Sequence, residues 1–161
     1  MGDVHVTTES KQDYVTPRKL IGIIAHLFGV SFEIDLAADV ENARCDRFFS
    51  KEDNSLSKCW EPELQGGVGW LNPPFRGIDP WMGKCKKESE NNVNQQGARI
   101  ISLTLASLGT RWYQDHVEGN ALSLILRDRV TFEGQKDPFP KELMISLWGF
   151  GMSGLGFWRW K

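Results

Sequence analysis

The stretch Trp70-Leu71-Asn72-Pro73-Pro74-Phe75 closes an apolar run with an amide, a rigid turn and an aromatic ring. Neither a strand nor a helix continues easily through two prolines, because each fixes φ and removes a backbone donor. The order has a chemical use. The Asn72 side chain offers an acceptor oxygen, and a backbone carbonyl locked by the following proline is a second acceptor in fixed position. Two such acceptors match the two hydrogens of an exocyclic amine. A ring directly after the prolines can stack on the planar base that carries the amine, an interaction worth about 1–3 kcal/mol per base. Acceptors that hold both hydrogens favour a nitrogen lone pair turned out of conjugation, and they act most strongly in the transition state of transfer to that nitrogen. By residue type, Asn72, Pro73, Pro74 and Phe75 suit a flipped adenine.

Other chemistries find little support. His5, His26 and His116 pair with no Ser or Cys motif, and no phosphate loop is visible. Cys45, Cys59 and Cys85 are an odd number without a CxxC pair or a suitable His partner. Neither a disulfide framework nor a metal site is expected, which fits a reducing compartment.

The elements around the motif follow from periodicity. Thr16-Pro17 before RKLIGIIAHLF reads as a helix start, with Thr16 as cap, Pro17 at the first position and Gly29 as terminator. FEIDLAAD alternates as a short strand and leaves it with a carboxylate and two alanines. Residues 39–64 lack periodicity apart from a short strand at RFF. Gly66 to Leu71 reads as a buried strand ending at the prolines, and Asp79-Pro80 opens a second helix. GARIISLTLAS is nearly continuous in apolar residues, as a parallel strand covered on both faces should be. TRWYQDHVEGN reads as a short helix, then ALSLILRD and ELMISLWGF as strands. Strands alternating with helices predict an α/β fold with a mostly parallel sheet, whose ligands gather at the carboxyl ends of the strands.

Composition bounds the rest. The 161 residues are 40% hydrophobic, enough for one covered core, and the net charge of -2 means that any nucleic-acid contact must be local. The reading is a polar N-terminal arm over 1–13 and one domain over 14–161. The N-terminus has no apolar signal region, MGDVHV fails the myristoylation pattern, and no apolar run approaches the ~20 residues of a membrane span, so a cytoplasmic protein is expected. Of seven tryptophans, Trp70, Trp81, Trp112 and Trp148 lie in or beside apolar segments, while Trp158 and Trp160 alternate with Arg159 and Lys161. That tail reads as a last strand on the sheet or as an aromatic, basic contact surface.

TPRKL, FEIDLAAD, WLNPPF followed by DPW, and DRVTF occur in one order across about residues 14–150, and together they resemble the small phage-type Dam family of DNA N6-adenine methyltransferases. The resemblance implies a single Rossmann-like methyltransferase domain with an antiparallel element near the C-terminus, S-adenosylmethionine as methyl donor, DNA as partner and NPPF as the catalytic motif. It places Thr16 and Pro17 at the methionine end of the cofactor. Asp35, Leu36, Ala37 and Ala38 fall in the loop after the first strand, with Asp35 meeting the cofactor's amino group. Because DLAAD lacks a glycine-rich FxGxG, this loop is recognised by family pattern alone. Asp39, Glu41 and Asp46 lie in the window for the ribose hydroxyls, with Asp46 carried as the candidate, and Asp53 falls near the cofactor adenine. The cations available to phosphates are the cluster Lys84, Lys86 and Lys87, which also reads as a solvated helix face, together with Arg111, Arg127 and Arg129. Only the loops at 85–97 and 133–141 and the termini remain to read bases, so specificity should be short or shared with a partner protein. A homodimer stays open, as do two other activities: methylation of RNA bases or glutamine by the same motif, and a binding module that keeps the fold without catalysis.

Overall fold

The computed structural model describes residues 14–90 and 97–161. The arm at 1–13, with His5, and residues 91–96 of the loop at 85–97 lie outside the described residues.

Helix α1 spans Arg18–Phe28 and buries Leu20 and Ile24 completely. Gly29 stops it with φ of 61°, and the N–H groups of Gly29 and Val30 return to carbonyls of the last turn. Its start corrects the sequence expectation. Pro17, not Thr16, holds the cap position, and no flanking side chain caps the first turn. The Arg18 N–H instead donates to Glu133 Oε1 at 2.9 Å, a carboxylate placed at the positive end of the helix from across the chain.

The strands are β1 Phe32–Asp35, β2 Val68–Leu71, β3 Ile100–Leu105, β4 Ala121–Leu126, β5 Leu143–Trp148 and β6 Gly154–Trp158; helix α2, Asp79–Ser89, lies between β2 and β3. They form one sheet in the order β1-β2-β3-β5-β4-β6. β1, β2 and β3 are mutually parallel, β5 runs antiparallel to both β3 and β4, and β6 is parallel to β4. The expected antiparallel element is therefore β5, inserted between two parallel strands, while the last strand β6 runs with the majority. β1, β2, β3, β4 and β6 all end at one edge of the sheet. Phe48 of the RFF stretch bridges Asp35, so the outer side of β1 is partly covered at the residue where it ends.

Both faces of the sheet are packed. Leu20, Ile24, Val68, Trp70 and Ile101 share the α1 side, and Leu36, Met82, Cys85, Ile100 and Trp148 share the α2 side. This explains the unbroken apolar run of β3. Buried polar groups on the strands pair with each other: Trp148 Nε1 donates to Ser102 Oγ at 3.0 Å, and Ser123 and Ser146 share a hydroxyl bond of 2.7 Å. Gly69 faces Leu36 so closely that a Cβ would lie 2.8 Å from Leu36 Cδ1. The glycine lets the chain leaving β1 fold down over β2. Segment 111–117 forms a short helical stretch whose last turn, Tyr113–Val117, has π-type bonding. Trp158 lies in β6, and Trp160 is buried with its indole N–H given to the Asp128 carbonyl at 2.9 Å.

Candidate active site

At the carboxyl ends of β1 and β2 the chain leaves a cleft of about 210 Å³. Asp35, Ala37 and Ala38 form one wall, Asn72 and Pro74 another, and Tyr14 and Thr16 approach from the segment before α1. Those six positions, Tyr14 apart, were all expected from the sequence, and the fold brings them to one place.

Asn72 is held by its amide nitrogen. Nδ2 donates to the Tyr14 carbonyl at 2.6 Å and to Thr16 Oγ1 at 3.1 Å. Thr16 is 2% exposed. Its hydroxyl accepts from the Asn72 amide rather than from the helix start, whose Arg18 N–H is taken by Glu133. Phe75 stacks on Tyr14, with ring centroids 5.8 Å apart and planes 28° apart, and meets Phe139 edge-on at 5.8 Å. Phe132 completes this aromatic group, 4.9 Å from Tyr14. Phe75 is only partly buried.

Asp35 is 3% exposed, at the cleft floor. Its carboxylate accepts the N–H of Arg44 at 2.9 Å and of Ala37 at 3.3 Å. Burial nevertheless wins, pushing its pKa from 3.8 up to about 6 against the two N–H bonds and the Arg44 charge. A buried carboxylate with unspent acceptor capacity suits an ammonium partner. Leu36, by contrast, turns into the core over Gly69, and Pro17 serves as cap of α1.

Arg44 ties the walls together. Its side chain is 5% exposed and donates from Nε to the Asn42 carbonyl at 2.9 Å and from Nη1 to the Thr16 carbonyl and to Glu133 Oε2, both at 3.1 Å. Glu133 also donates its N–H to the Val15 carbonyl at 2.9 Å. The Arg18 N–H is the main cause that holds the Glu133 carboxyl below its usual range, with Arg44 adding to it. Burial drives the neighbouring Cys45 thiol up to about 12, so it is neutral and unreactive near pH 7.

Of the acids in the ribose window, Asp39 lines the cleft, whereas Glu41 and Asp46 are exposed and outside its lining. Asp53 also lies outside the lining; it holds Ser50, which does line the cleft, through the Ser50 N–H at 2.7 Å and hydroxyl at 2.9 Å. Sequence reasoning missed Asn42, Arg44, Phe49, Ser50, Asn54 and Trp81, all of which line the cleft. The loop 39–57 that supplies most of them has no periodicity to reveal it. Phe49, Leu56 and Trp81 give the cleft an apolar part fit for a planar ring, while Ser50 and Asn54 offer polar atoms beside it.

The arginines follow the strand ends. Arg111 lies on the chain after β3, and Arg127 and Arg129 follow β4, at the edge that carries the cleft. Arg127 lies 4.6 Å from the centre of the Phe157 ring, and Arg129 donates to the Phe139 carbonyl at 3.3 Å and pairs with Glu142 at 3.7 Å. α2 runs from the end of β2 back to the start of β3, so the lysines of its later turns point toward the opposite edge. Lys84 is paired with Glu88, Lys86 donates to the Asp115 carbonyl at 3.3 Å, and Lys87 is exposed. Among the described residues no group of His, Cys, Asp and Glu could hold a metal ion, and no helix is long and apolar enough to cross a membrane.

A mostly parallel sheet with one inserted antiparallel strand, a small-residue loop after its first strand and an Asn-Pro-Pro-aromatic turn after its second define a Rossmann-like methyltransferase domain. Residues 3–142 match the family model described as DNA N-6-adenine-methyltransferase (Dam). The chain belongs to that family. It is similar to the DNA N-6-adenine-methyltransferase of Escherichia phage T1, 33% identical over 110 residues, which are 68% of this chain and 42% of that protein. It is also similar to the DNA N-6-adenine-methyltransferase of Haemophilus phage HP1, 24% identical over 108 residues, 66% of this chain and 58% of that one. The matches thus span about half the length of these relatives.

Proposed function

We propose that this chain transfers a methyl group from S-adenosylmethionine to the N6 amine of adenine in DNA, with the target base flipped into the cleft beside NPPF. The observation that carries the reading is Asn72 at the mouth of a cleft that also holds a buried carboxylate, in a chain of the Dam family.

The lining suits the cofactor by its chemistry. Asp35 would hold the ammonium of the methionine part, and the small side chains of Ala37 and Ala38 would let it approach the backbone. Asp39 is better placed for the ribose hydroxyls than Asp46, because it lines the cleft. Phe49, Leu56 and Trp81, which line the cleft, would hold the adenine ring, with Asp53 contributing through Ser50, whose N–H it accepts. When bound, S-adenosylmethionine supplies an electrophilic methyl group on a sulfonium.

The chain's own residues handle the amine. Asn72 Oδ1 and the Pro73 carbonyl accept its two hydrogens, which turns the nitrogen lone pair out of the ring plane. As that nitrogen gains positive charge, its hydrogens become stronger donors, so the two oxygens stabilise the transition state more than the ground state. Phe75, backed by Tyr14, offers its other face to the base. Arg111, Arg127 and Arg129 contact the phosphates on the flanks of the cleft.

Label transfer from tritiated cofactor to unmethylated DNA, RNA and protein tests the substrate, and Asn72→Ala tests the site. DNA is expected to be labelled at adenine N6, and the variant to lose transfer while binding cofactor within about threefold of wild type. A variant methylating at the wild-type rate removes Asn72 from the mechanism. A wild-type protein that binds no cofactor at millimolar concentration is a binding module.

A further inference from the structure

Asn72 is fixed by a feature that nothing in the motif itself requires. Its amide nitrogen sits 2.6 Å from the Tyr14 carbonyl and 3.1 Å from Thr16 Oγ1. A carbonyl oxygen can only accept, so the group facing it must carry hydrogen. Turning the amide over would set oxygen against oxygen at that distance. Thr16 is buried, and its backbone is pinned by Arg44 on its carbonyl and by the Glu133 bond to the preceding residue. Glu133 caps α1 in its place and leaves the hydroxyl free to accept.

We propose that the Tyr14 carbonyl and the Thr16 hydroxyl are positioning groups that lock the Asn72 amide with both hydrogens turned away and its oxygen toward the substrate amine, so that this chain requires asparagine, and excludes aspartate, at the first position of its motif. The inference rests on the methyltransferase reading above and assigns Thr16 a task beyond the cofactor contact expected of it. An ionised aspartate has no hydrogen to give, so its second oxygen would be set against the Tyr14 carbonyl, where the amide nitrogen now sits at 2.6 Å, and a hydrogen bond turned toward it by the Thr16 hydroxyl does not remove that oxygen–oxygen repulsion. The carboxylate would then have to rotate away and lose the geometry that grips the amine.

Two kinds of measurement test this. In the first, Asn72→Asp, Thr16→Val and Thr16→Ser are compared for cofactor affinity and turnover. Asn72→Asp should transfer no more than about one hundredth of the wild-type rate. Thr16→Val should lose about tenfold in kcat, the effect of one neutral hydrogen bond, with cofactor Kd within about threefold. Thr16→Ser, which restores the acceptor, should recover most of that tenfold. Aspartate supporting wild-type turnover overturns the proposal. So does a Thr16→Val defect that lies in Kd alone, or one that Thr16→Ser does not rescue. The second is the side-chain amide resonance of Asn72 in the wild-type and Thr16→Val proteins. Both hydrogens should be protected from exchange in the former, and one should lose protection in the latter; two freely exchanging hydrogens in the wild type overturn the lock. This readout needs no substrate. Loss of all transfer by the wild type with a protected amide would sink the methyltransferase reading, whereas an active wild type with an unprotected amide would sink the lock alone.

Discussion

Asp35→Asn should stabilise the cofactor-free protein near neutral pH while weakening cofactor binding. The folded protein raises the Asp35 pKa from 3.8 to about 6, chiefly by burial, and the residue is only 3% exposed. The sign follows from proton linkage. Where the native state binds the extra proton and the unfolded chain does not, from pH ~4 to ~6, stability falls as pH rises. The contribution of Asp35 is thus fully present below its unfolded value and lost through its folded one. A shift of about two units is worth ~3 kcal/mol, of which ~2 kcal/mol is crossed between pH 4.5 and 7.5. Asparagine is neutral throughout and has one acceptor oxygen for two N–H donors, a loss of about 1 kcal/mol at every pH. The variant should therefore be about equal to the wild type, or slightly below it, at pH 4.5, and more stable by 1–2 kcal/mol at pH 7.5, by a rough sum of these terms. Urea unfolding of both proteins at both pH values measures it, since titrations common to both cancel in the difference. Calorimetric titration with S-adenosylmethionine should show affinity lost in the variant, and wild-type affinity falling as pH drops through 6. A stability gap of the same size at both pH values would refute the argument, because Asp35 would then be charged, or solvated, in the native state.

Glu133→Gln removes the charged cap of α1 and the Arg44 pair together. Since the Glu133 side chain is 42% exposed, solvent screens the pair, and a loss of about 1 kcal/mol at pH 7 is expected by urea unfolding. Because the folded state depresses this carboxyl, the gap should close as pH falls below the ordinary carboxylate range. Arg127→Gln with Arg129→Gln should weaken DNA binding by about the same factor for all sequences and lower the salt dependence by up to two phosphate contacts, measured by fluorescence anisotropy between 50 and 200 mM salt, a range over which such contacts are readily resolved. An unchanged salt slope would place the DNA elsewhere.

The fold was legible where one local pattern decides. α1 shows its apolar face in its own residues, and the apolar run of β3 announces a strand buried on both sides. The NPPF turn suggests its chemistry through its residue types, whereas the small residues after β1 take a role only from the resemblance of the whole set of motifs. What escaped depends on partners far along the chain. The cap of α1 comes from Glu133, 115 residues past the N–H it holds, and no rule of local capping could find it. The place of β5 between β3 and β4 is a matter of pairing across the chain, and charge alone cannot tell an arginine at the cleft edge from a lysine paired with Glu88. Asp39 and Asp46 look alike in sequence. Only the turn closed by Asn42, whose Oδ1 accepts the Asp39 N–H at 2.7 Å, separates the lining residue from the exposed one.

The departures from local rules coincide with the cleft, and one network connects them. Thr16 gives up a helix cap, worth about 1 kcal/mol where it forms, and Asp35 carries a burial cost of a few kcal/mol. Local stability would be served by a threonine capping its helix and a neutral group under Arg44. Glu133 and Arg44 make both departures tolerable, the first by supplying the missing cap and the second by giving its N–H to Asp35 and its side chain to the Thr16 carbonyl. It follows that Glu133 and Thr16 should not act independently. In Thr16→Val the helix cap remains, and in Glu133→Ala, which leaves no side-chain acceptor for the Arg18 N–H, the Thr16 hydroxyl gains a competing N–H to accept from the helix start. The double variant should therefore lose less turnover than the product of the single losses, by at least about twofold. Strict multiplicativity would mean that Glu133 stabilises the fold without setting the Asn72 amide.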